Sequence, residues 1–204
     1  MKPDLILIGA GGHSDACIDV IEQDGRYNIA GLVGCDGEVN QVRLGYTVIG
    51  TDDDLIKMSE TIQYAFIVLG QIKSAEPRAH LYAKTKLLGF KMPVIVSPGA
   101  YVSPHAKIGA GTIVMHGAVV NAGARIGENC IINTRALVEH GAVIGDHCHI
   151  STGAIVNGDV CIGERTFIGS GSVVKQGLQV GEKCMIGMGV HLRHHLSDNS
   201  EFVG

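Results

Sequence analysis

Residues 136–151 read ALVEHGAVIGDHCHIS. Val138, Ile144 and Ile150 fall six apart, with small or polar residues between them. The same spacing extends from Val96, Val102 and Ile108 to Val174, Val180 and Ile186, sixteen consecutive positions that are all Ile or Val without an insertion. A strand repeats every two residues and a helix every 3.6, so neither alone explains a period of six. An unbroken hexapeptide repeat of β-branched aliphatics is the mark of a parallel β-helix, in which each aliphatic fills the inside of a coil. Four positions after each aliphatic comes a mostly small residue, such as Ala100, Thr112, Cys130 or Ala142, suited to packing beside it. Gly or Asn often follows the aliphatic directly, as at Gly109, Asn121, Gly127 and Gly145. These tolerate positive φ and are expected to turn the corners.

Before residue 96 the period differs. DLILIG (4–9), YNIAGLVG (27–34) and QYAFIVLG (63–70) are short apolar strands, with YTVIG (46–50) a strand or turn. Between them, DACIDVIEQD carries a helical stripe at Ala16, Cys17, Val20 and Ile21. TDDDLIKMS starts a helix with Thr51 or Asp52 as N-cap, and SAEPRAHLYAKTKLLG is a helix closed by Gly89. Alternating strands and helices imply a small parallel α/β sheet, Rossmann-like, over residues 1–95, followed by the β-helix with its tail over 96–204.

Composition narrows the function. A net charge of −4 gives no electrostatic case for nucleic acid or an anionic membrane. No apolar run reaches the roughly 20 residues of a membrane span, and the N-terminus reads as a strand rather than a secretory signal. The six cysteines form no CxxC pair, and Cys130, Cys148 and Cys184 share one register position. They are expected to be small buried side chains in a reducing cytoplasm rather than disulfides.

Several residues could carry chemistry. GAGGHS (9–14) follows a strand and opens a helix, a turn that can cradle phosphate on the helix N-terminus. Gly11, Gly12 and His13 are its candidates. Cys35 and Asp36 end the second strand, where an acid often holds ribose hydroxyls. Ser14 replaces the third glycine of a dinucleotide fingerprint, so a mononucleotide carrying a sugar fits better. His140 stands at a register position that should point out of the prism, where a neutral imidazole can serve as general base. His147 and His149 alternate and should face one side, and a metal shared with another chain would make the protein a β-helical hydratase. The tail histidines His191, His194 and His195 have no acid or cysteine at ligand spacing.

IGAGGH at the N-terminus, SPxAxIGxGTxV at 103–114, INT at 132–134 and VEHGAVIGDHCHIS at 138–151 together resemble the bacterial sugar acyltransferase family. That family includes sialic-acid O-acetyltransferases and N-acetyltransferases of nucleotide-activated 4-amino-4,6-dideoxy sugars. The resemblance spans nearly the whole chain. It implies a left-handed β-helix of three hexapeptides per coil, so that residues 18 apart stack. It also implies a homotrimer, with acetyl-CoA between subunits and the nucleotide sugar on the N-terminal domain, and no metal. The catalytic histidine falls on His140. Acetyl-CoA would meet His149, Ser170 and Met188, and the acceptor Gly11, Gly12, His13, Cys35 and Asp36. Amines attack thioesters more readily than alcohols, so an amino sugar is the expected acceptor and O-acetylation the alternative. A non-catalytic nucleotide-sugar-binding trimer is a further reading, suggested by Gly141, which stands where relatives carry an acid after the histidine. An acid placed there should raise the rate, provided residue 141 needs no positive φ.

Overall fold

The computed structural model describes residues 1–204. The first half is a five-stranded sheet in the order β3-β4-β2-β1-β5. Its strands are β1 (Asp4–Ile8), β2 (Asn28–Gly34), β3 (Val42–Arg43), β4 (Tyr46–Thr51) and β5 (Tyr64–Ile67). The helices are α1 (Gly12–Asp24), α2 (Leu55–Ser59) and α3 (Glu76–Leu87). Leu5 to Ile8 are all buried, as central strands covered on both faces should be.

Three local expectations are corrected. The sheet is mixed, because β3 runs antiparallel to β4. The hairpin turns through Leu44 and Gly45, both at positive φ (46° and 89°). Leucine is a rare choice there, so the turn is not legible as one. Helix α1 buries Ile18 with Cys17, Val20 and Ile21, while Ala16 faces solvent. Thr51 ends β4 and Asp54 is the residue before α2; the Asp54 carboxylate accepts the Thr51 N–H at 2.8 Å.

From Ile95–Val96 onward the chain forms two-residue strands that stack into three parallel walls, a left-handed β-helix. Wall one runs from Ile95–Val96 through Ile131–Ile132 and His149–Ile150 to Glu201–Phe202. Wall two runs from Tyr101–Val102 through Leu137–Val138 to His191–Leu192. Wall three runs from Lys107–Ile108 through Val143–Ile144 to Gln179–Val180. Partners are 18 apart, as in Leu137 with Ile155 and Ile131 with His149, up to the last step of wall one, where Met185 pairs with Glu201. The repeating aliphatics and their small companions fill the prism as one core.

Positive φ does not fall on the residue after the aliphatic. It falls two positions later, at Gly117, Asn129, Gly141, His147, Asp159 and their equivalents. The glycines that follow the aliphatic serve close approach instead. On the edge between walls three and one, a Cβ on Gly145 would lie 2.6 Å from the Glu164 amide of the next coil, and one on Gly163 2.5 Å from that of Glu182. Only glycine lets these coils stack there.

Beside this row stands the interior column Thr112, Cys130, Cys148, Thr166 and Cys184. All six cysteines of the chain are free. The column is more than filler: Cys130 Sγ and Cys148 Sγ donate to the Gly145 and Gly163 carbonyls at 3.1 Å, and Thr166 Oγ1 donates to the Gly181 carbonyl at 2.9 Å. Burial keeps the Cys148 thiol pKa well above its usual value, so it stays a donor.

The two halves share a core. Wall one presents Ile95, Ile113 and Ile131 outward, and all three are buried with Cys17, Val20 and Phe66 of the first domain. No helix is long and apolar enough to cross a membrane.

Candidate active site

The first domain opens a crevice of about 500 Å³ at the C-terminal ends of its strands, where open α/β sheets bind ligands. It gathers Gly11, Cys35, Asp36, Glu38, Asp52 and Asp53. Gly11 is the N-cap of α1, in extended conformation (φ −81°). A Cβ on Gly11 or Gly12 would meet nothing within 4 Å, so the fold itself does not require glycine at either position. Their small size leaves open space in front of the helix N-terminus, where free N–H groups and the helix dipole favour an anion. The opposite rim is acidic. Glu38 accepts the Cys35 N–H at 2.8 Å, which shapes the turn after β2. Asp52 and Asp53 lie near this rim and gave no signal in the sequence beyond a helix start.

His13 turns away from this crevice, towards the junction of the two domains. Its ring lies 6.5 Å from that of His149. His149 is 6% exposed and held from two sides. Nδ1 donates to the Gln71 carbonyl at 2.6 Å, so Nε2 is left to accept from Asn133 Nδ2 at 3.0 Å. Burial lowers its pKa to about 4, against the opposing effect of the Gln71 carbonyl and with a smaller push from Arg78. Burial likewise lowers that of His13 to about 4. Both rings are neutral at pH 7.

Arg78, 1% exposed, ties the junction. Its guanidinium donates to the carbonyls of Ile67 and Leu69 at 2.7 and 2.8 Å and to that of Asn129 in the β-helix at 3.3 Å. His147 occupies a corner at φ 59°, so simple strand alternation with His149 does not apply. Its Nδ1 meets Asn129 Nδ2 at 2.9 Å and its ring packs edge-on against Tyr82. Both histidines therefore lie against the first domain, each with its own partners. No group of three His, Cys, Asp or Glu side chains comes close enough to share a metal ion.

These neutral histidines set a pH dependence. Unfolded, each titrates near 6.5; folded, near 4. Between those values the unfolded chain binds more protons, so stability rises with pH in that window. Their contribution is intact above about pH 6.5 and is lost as pH falls towards 4. The melting temperature is expected to drop between pH 7 and pH 5, and His149→Gln to flatten part of that slope. An unchanged slope in His149→Gln would show that His149 is not responsible.

His140 lies elsewhere, exposed on the edge between walls two and three. That edge is opposite wall one, on which the first domain docks. Its ring rests on Gly158 of the next coil, where a Cβ would lie 2.7 Å from Cε1. Glu139 does not support the ring. Its carboxylate accepts Asn121 Nδ2 at 2.9 Å and the backbone N–H of His140 at 3.2 Å. Gly141 does adopt positive φ (68°), and a Cβ there would collide with Asp159 Oδ1. An acid at 141 would therefore have to adopt left-handed backbone and displace the Asp159 carboxylate.

Farther along the same edge is a cleft of about 490 Å³ containing Asn157, Lys175, Gln176, His191 and Arg193. Glu139, Asn157, Lys175 and Arg193 stack one per coil, at roughly 4.8 Å per step. Charge thus passes from acidic beside His140 to cationic two and three coils away. Ser170 and Met188 stand on the remaining edge, between walls one and two. Ser170 Oγ lies 2.9 Å from Ser151 Oγ, and Met188 is 81% exposed.

An α/β domain with a crevice at its strand ends, fused to a β-helical prism with an exposed imidazole on its edge, is the architecture of a β-helical acyltransferase. The PglD N-terminal domain family matches residues 4–84, and the bacterial transferase hexapeptide family (six repeats) matches residues 105–140, 123–158 and 141–176. The acetyltransferase domain of PglB from Neisseria gonorrhoeae FA1090, solved with acetyl coenzyme A, is 32% identical with a TM-score of 0.91, over 100% of this chain and 97% of that one. A histidine-to-asparagine mutant of perosamine N-acetyltransferase from Caulobacter crescentus, solved with CoA and GDP-perosamine, is 30% identical with a TM-score of 0.94, over 100% and 95%. WeeI from Acinetobacter baumannii AYE shares the fold, at 23% identity and a TM-score of 0.86 over 98% and 97%. No curated protein matches the sequence. The chain belongs to the bacterial sugar acyltransferase family that joins a PglD-type N-terminal domain to hexapeptide repeats.

Proposed function

We propose that this protein transfers the acetyl group of acetyl-CoA to the amino group of a nucleotide-activated 4-amino-4,6-dideoxy sugar, with His140 as general base. The observation that carries this reading is the placement of His140. It is an exposed imidazole, seated on glycine, on an edge that leads into a cationic cleft. Lys175 and Arg193 suit the phosphates of acetyl-CoA, and the edge between them and His140 suits its pantetheine arm. The open glycine turn and acidic rim of the first domain suit the diphosphate and the hydroxyls of a nucleotide sugar. Relatives about 30% identical carry the corresponding names and ligands.

The prism separates His140 from the crevice of its own chain, so the site is complete only when another copy brings its first domain to this edge. Three copies about a three-fold axis would form three such sites, each shared, with His149, Ser170 and Met188 of one copy facing His140 of the next. In the reaction the sugar amine attacks the thioester carbonyl while His140 takes its proton. A backbone N–H of a neighbouring coil steadies the oxyanion. The C–S bond then breaks, and the thiolate of CoA leaves and is protonated. Six free cysteines suit a reducing compartment, the cytoplasm.

The test is free-thiol release from acetyl-CoA with a panel of nucleotide 4-amino sugars and their 4-hydroxy counterparts. Release with the amines and not the alcohols is expected, and the opposite result would make the protein an O-acetyltransferase. Lys175→Ala and Arg193→Ala should each raise the KM for acetyl-CoA by roughly 10- to 150-fold, the loss of one charged contact, with kcat little changed. An unchanged KM in both would remove the phosphates from this cleft.

A further inference from the structure

We infer that Asp159 is the positioning residue of His140, supplying from the next coil the carboxylate that the corner of His140 lacks; this rests on the role proposed for His140. A base histidine works best when an acceptor holds its second nitrogen, which fixes the tautomer and leaves the other nitrogen to take the proton. Within its own coil His140 has no such acceptor, because the Glu139 carboxylate is committed to Asn121 and to backbone.

Asp159 meets three conditions. It is tied to His140 directly, since its N–H donates to the His140 carbonyl at 3.0 Å. It follows Gly158, the residue on which the imidazole rests. Its carboxylate reaches back across the coils, so that Oδ1 occupies the space where a side chain on Gly141 would begin. Left-handed backbone is not why residue 141 is glycine: Asn129, Arg135, His147, Arg165 and Lys183 hold the same register position at positive φ with full side chains. What a side chain at 141 would meet first is the carboxylate from above, which would have to swing aside. Gly141 and Asp159 therefore form a pair, one vacating the space beside the histidine and the other filling it. The Asp159 carboxylate is exposed and makes no hydrogen bond or ion pair within the chain, so it is free to accept Nδ1–H when the imidazole turns towards it.

The experiment is a reciprocal exchange, read by steady-state kinetics on the intact oligomer. Asp159→Asn should lower kcat by roughly 10- to 100-fold, less than the ~10⁴ of a buried triad carboxylate, with the KM for acetyl-CoA within two-fold of wild type. Gly141→Asp alone should also lose activity, because two carboxylates then compete for one space. Gly141→Asp combined with Asp159→Gly should recover to within a few-fold of wild type, the acid having moved down one coil. Asp159→Gly places glycine at a left-handed position (φ 57°), so its folding is secure. If Asp159→Asn keeps wild-type kcat, or the double variant is no better than Asp159→Gly, Asp159 does not position the base. If His140→Ala is itself fully active, the role of His140 fails instead, which distinguishes the two ideas.

Discussion

His140→Ala is expected to lower kcat by roughly 10²- to 10⁴-fold, the usual worth of a positioned general base. The fold should survive, because the ring is exposed and rests on Gly158 rather than filling the prism. Surface changes of this kind usually stay within about 0.5 kcal/mol of wild-type stability. Light scattering of the variant should give the same mass as wild type, and its KM for acetyl-CoA should hold. A loss of rate with unchanged assembly and intact donor affinity isolates the proton transfer. Activity within a few-fold of wild type would mean that the base is another group. His149 is a poor substitute, since Nδ1 is held by the Gln71 carbonyl and Nε2 faces Asn133. Its loss should instead disturb the junction of the two domains.

The largest effect on stability is expected at the stacking glycines. In Gly163→Val the new Cβ would lie 2.5 Å from the backbone of Gly181 and Glu182 in the next coil. Backbone cannot swing aside as a flexible side chain can, so the wall must open. The Gly163 carbonyl also accepts the Cys148 thiol, so a shift there disturbs the interior column. Overpacking commonly costs ~1–3 kcal/mol, and a clash of backbone on both sides belongs at or above the upper end. For a chain of this length ~3 kcal/mol corresponds to a fall of roughly 6–12 °C in melting temperature. Gly153→Ala is the control. That glycine sits at φ 66° with nothing within 4 Å of its Cβ, so only the left-handed backbone cost of ~1–2 kcal/mol applies. If thermal melts show Gly163→Val no worse than Gly153→Ala, close approach is not what keeps glycine in this row.

The parallel β-helix is legible from residue spacing alone, because an interior that repeats along the coil must repeat in sequence; that three hexapeptides close each coil is what the family resemblance implies. The α/β alternation and its glycine turn were legible for a similar reason: strand and helix leave different short periods. The corners are less legible. Glycine after the aliphatic looks like a residue chosen for positive φ, but whether glycine is there for its backbone or for its missing side chain depends on the distance to the next coil. That distance is between residues 18 apart, and no local pattern reports it. The β3–β4 hairpin is not legible in the sequence because Leu44 holds a left-handed position that its type disfavours.

For the site, the residues could be nominated but not assembled. A cluster of histidines over 140–149 marked the coil region, and the turn at 9–14 marked a ligand crevice. The outward aliphatics Ile113 and Ile131 of wall one pack beneath the first domain, a contact between segments far apart in the chain. Only the tertiary structure decided which histidine was buried and which was free. His149 follows that apolar row and is held neutral beneath the first domain, whereas His140, nine residues earlier, emerges on the opposite edge. By itself the sequence determined the prism, the α/β domain and the shortlist of groups, because periodicity and composition are local. Partnership was left to the fold: Gln71 with His149, Arg78 with Asn129, and the Asp159 carboxylate in the space beside Gly141. Burial and hydrogen bonding decide what an imidazole can do, and both come from residues distant in the chain.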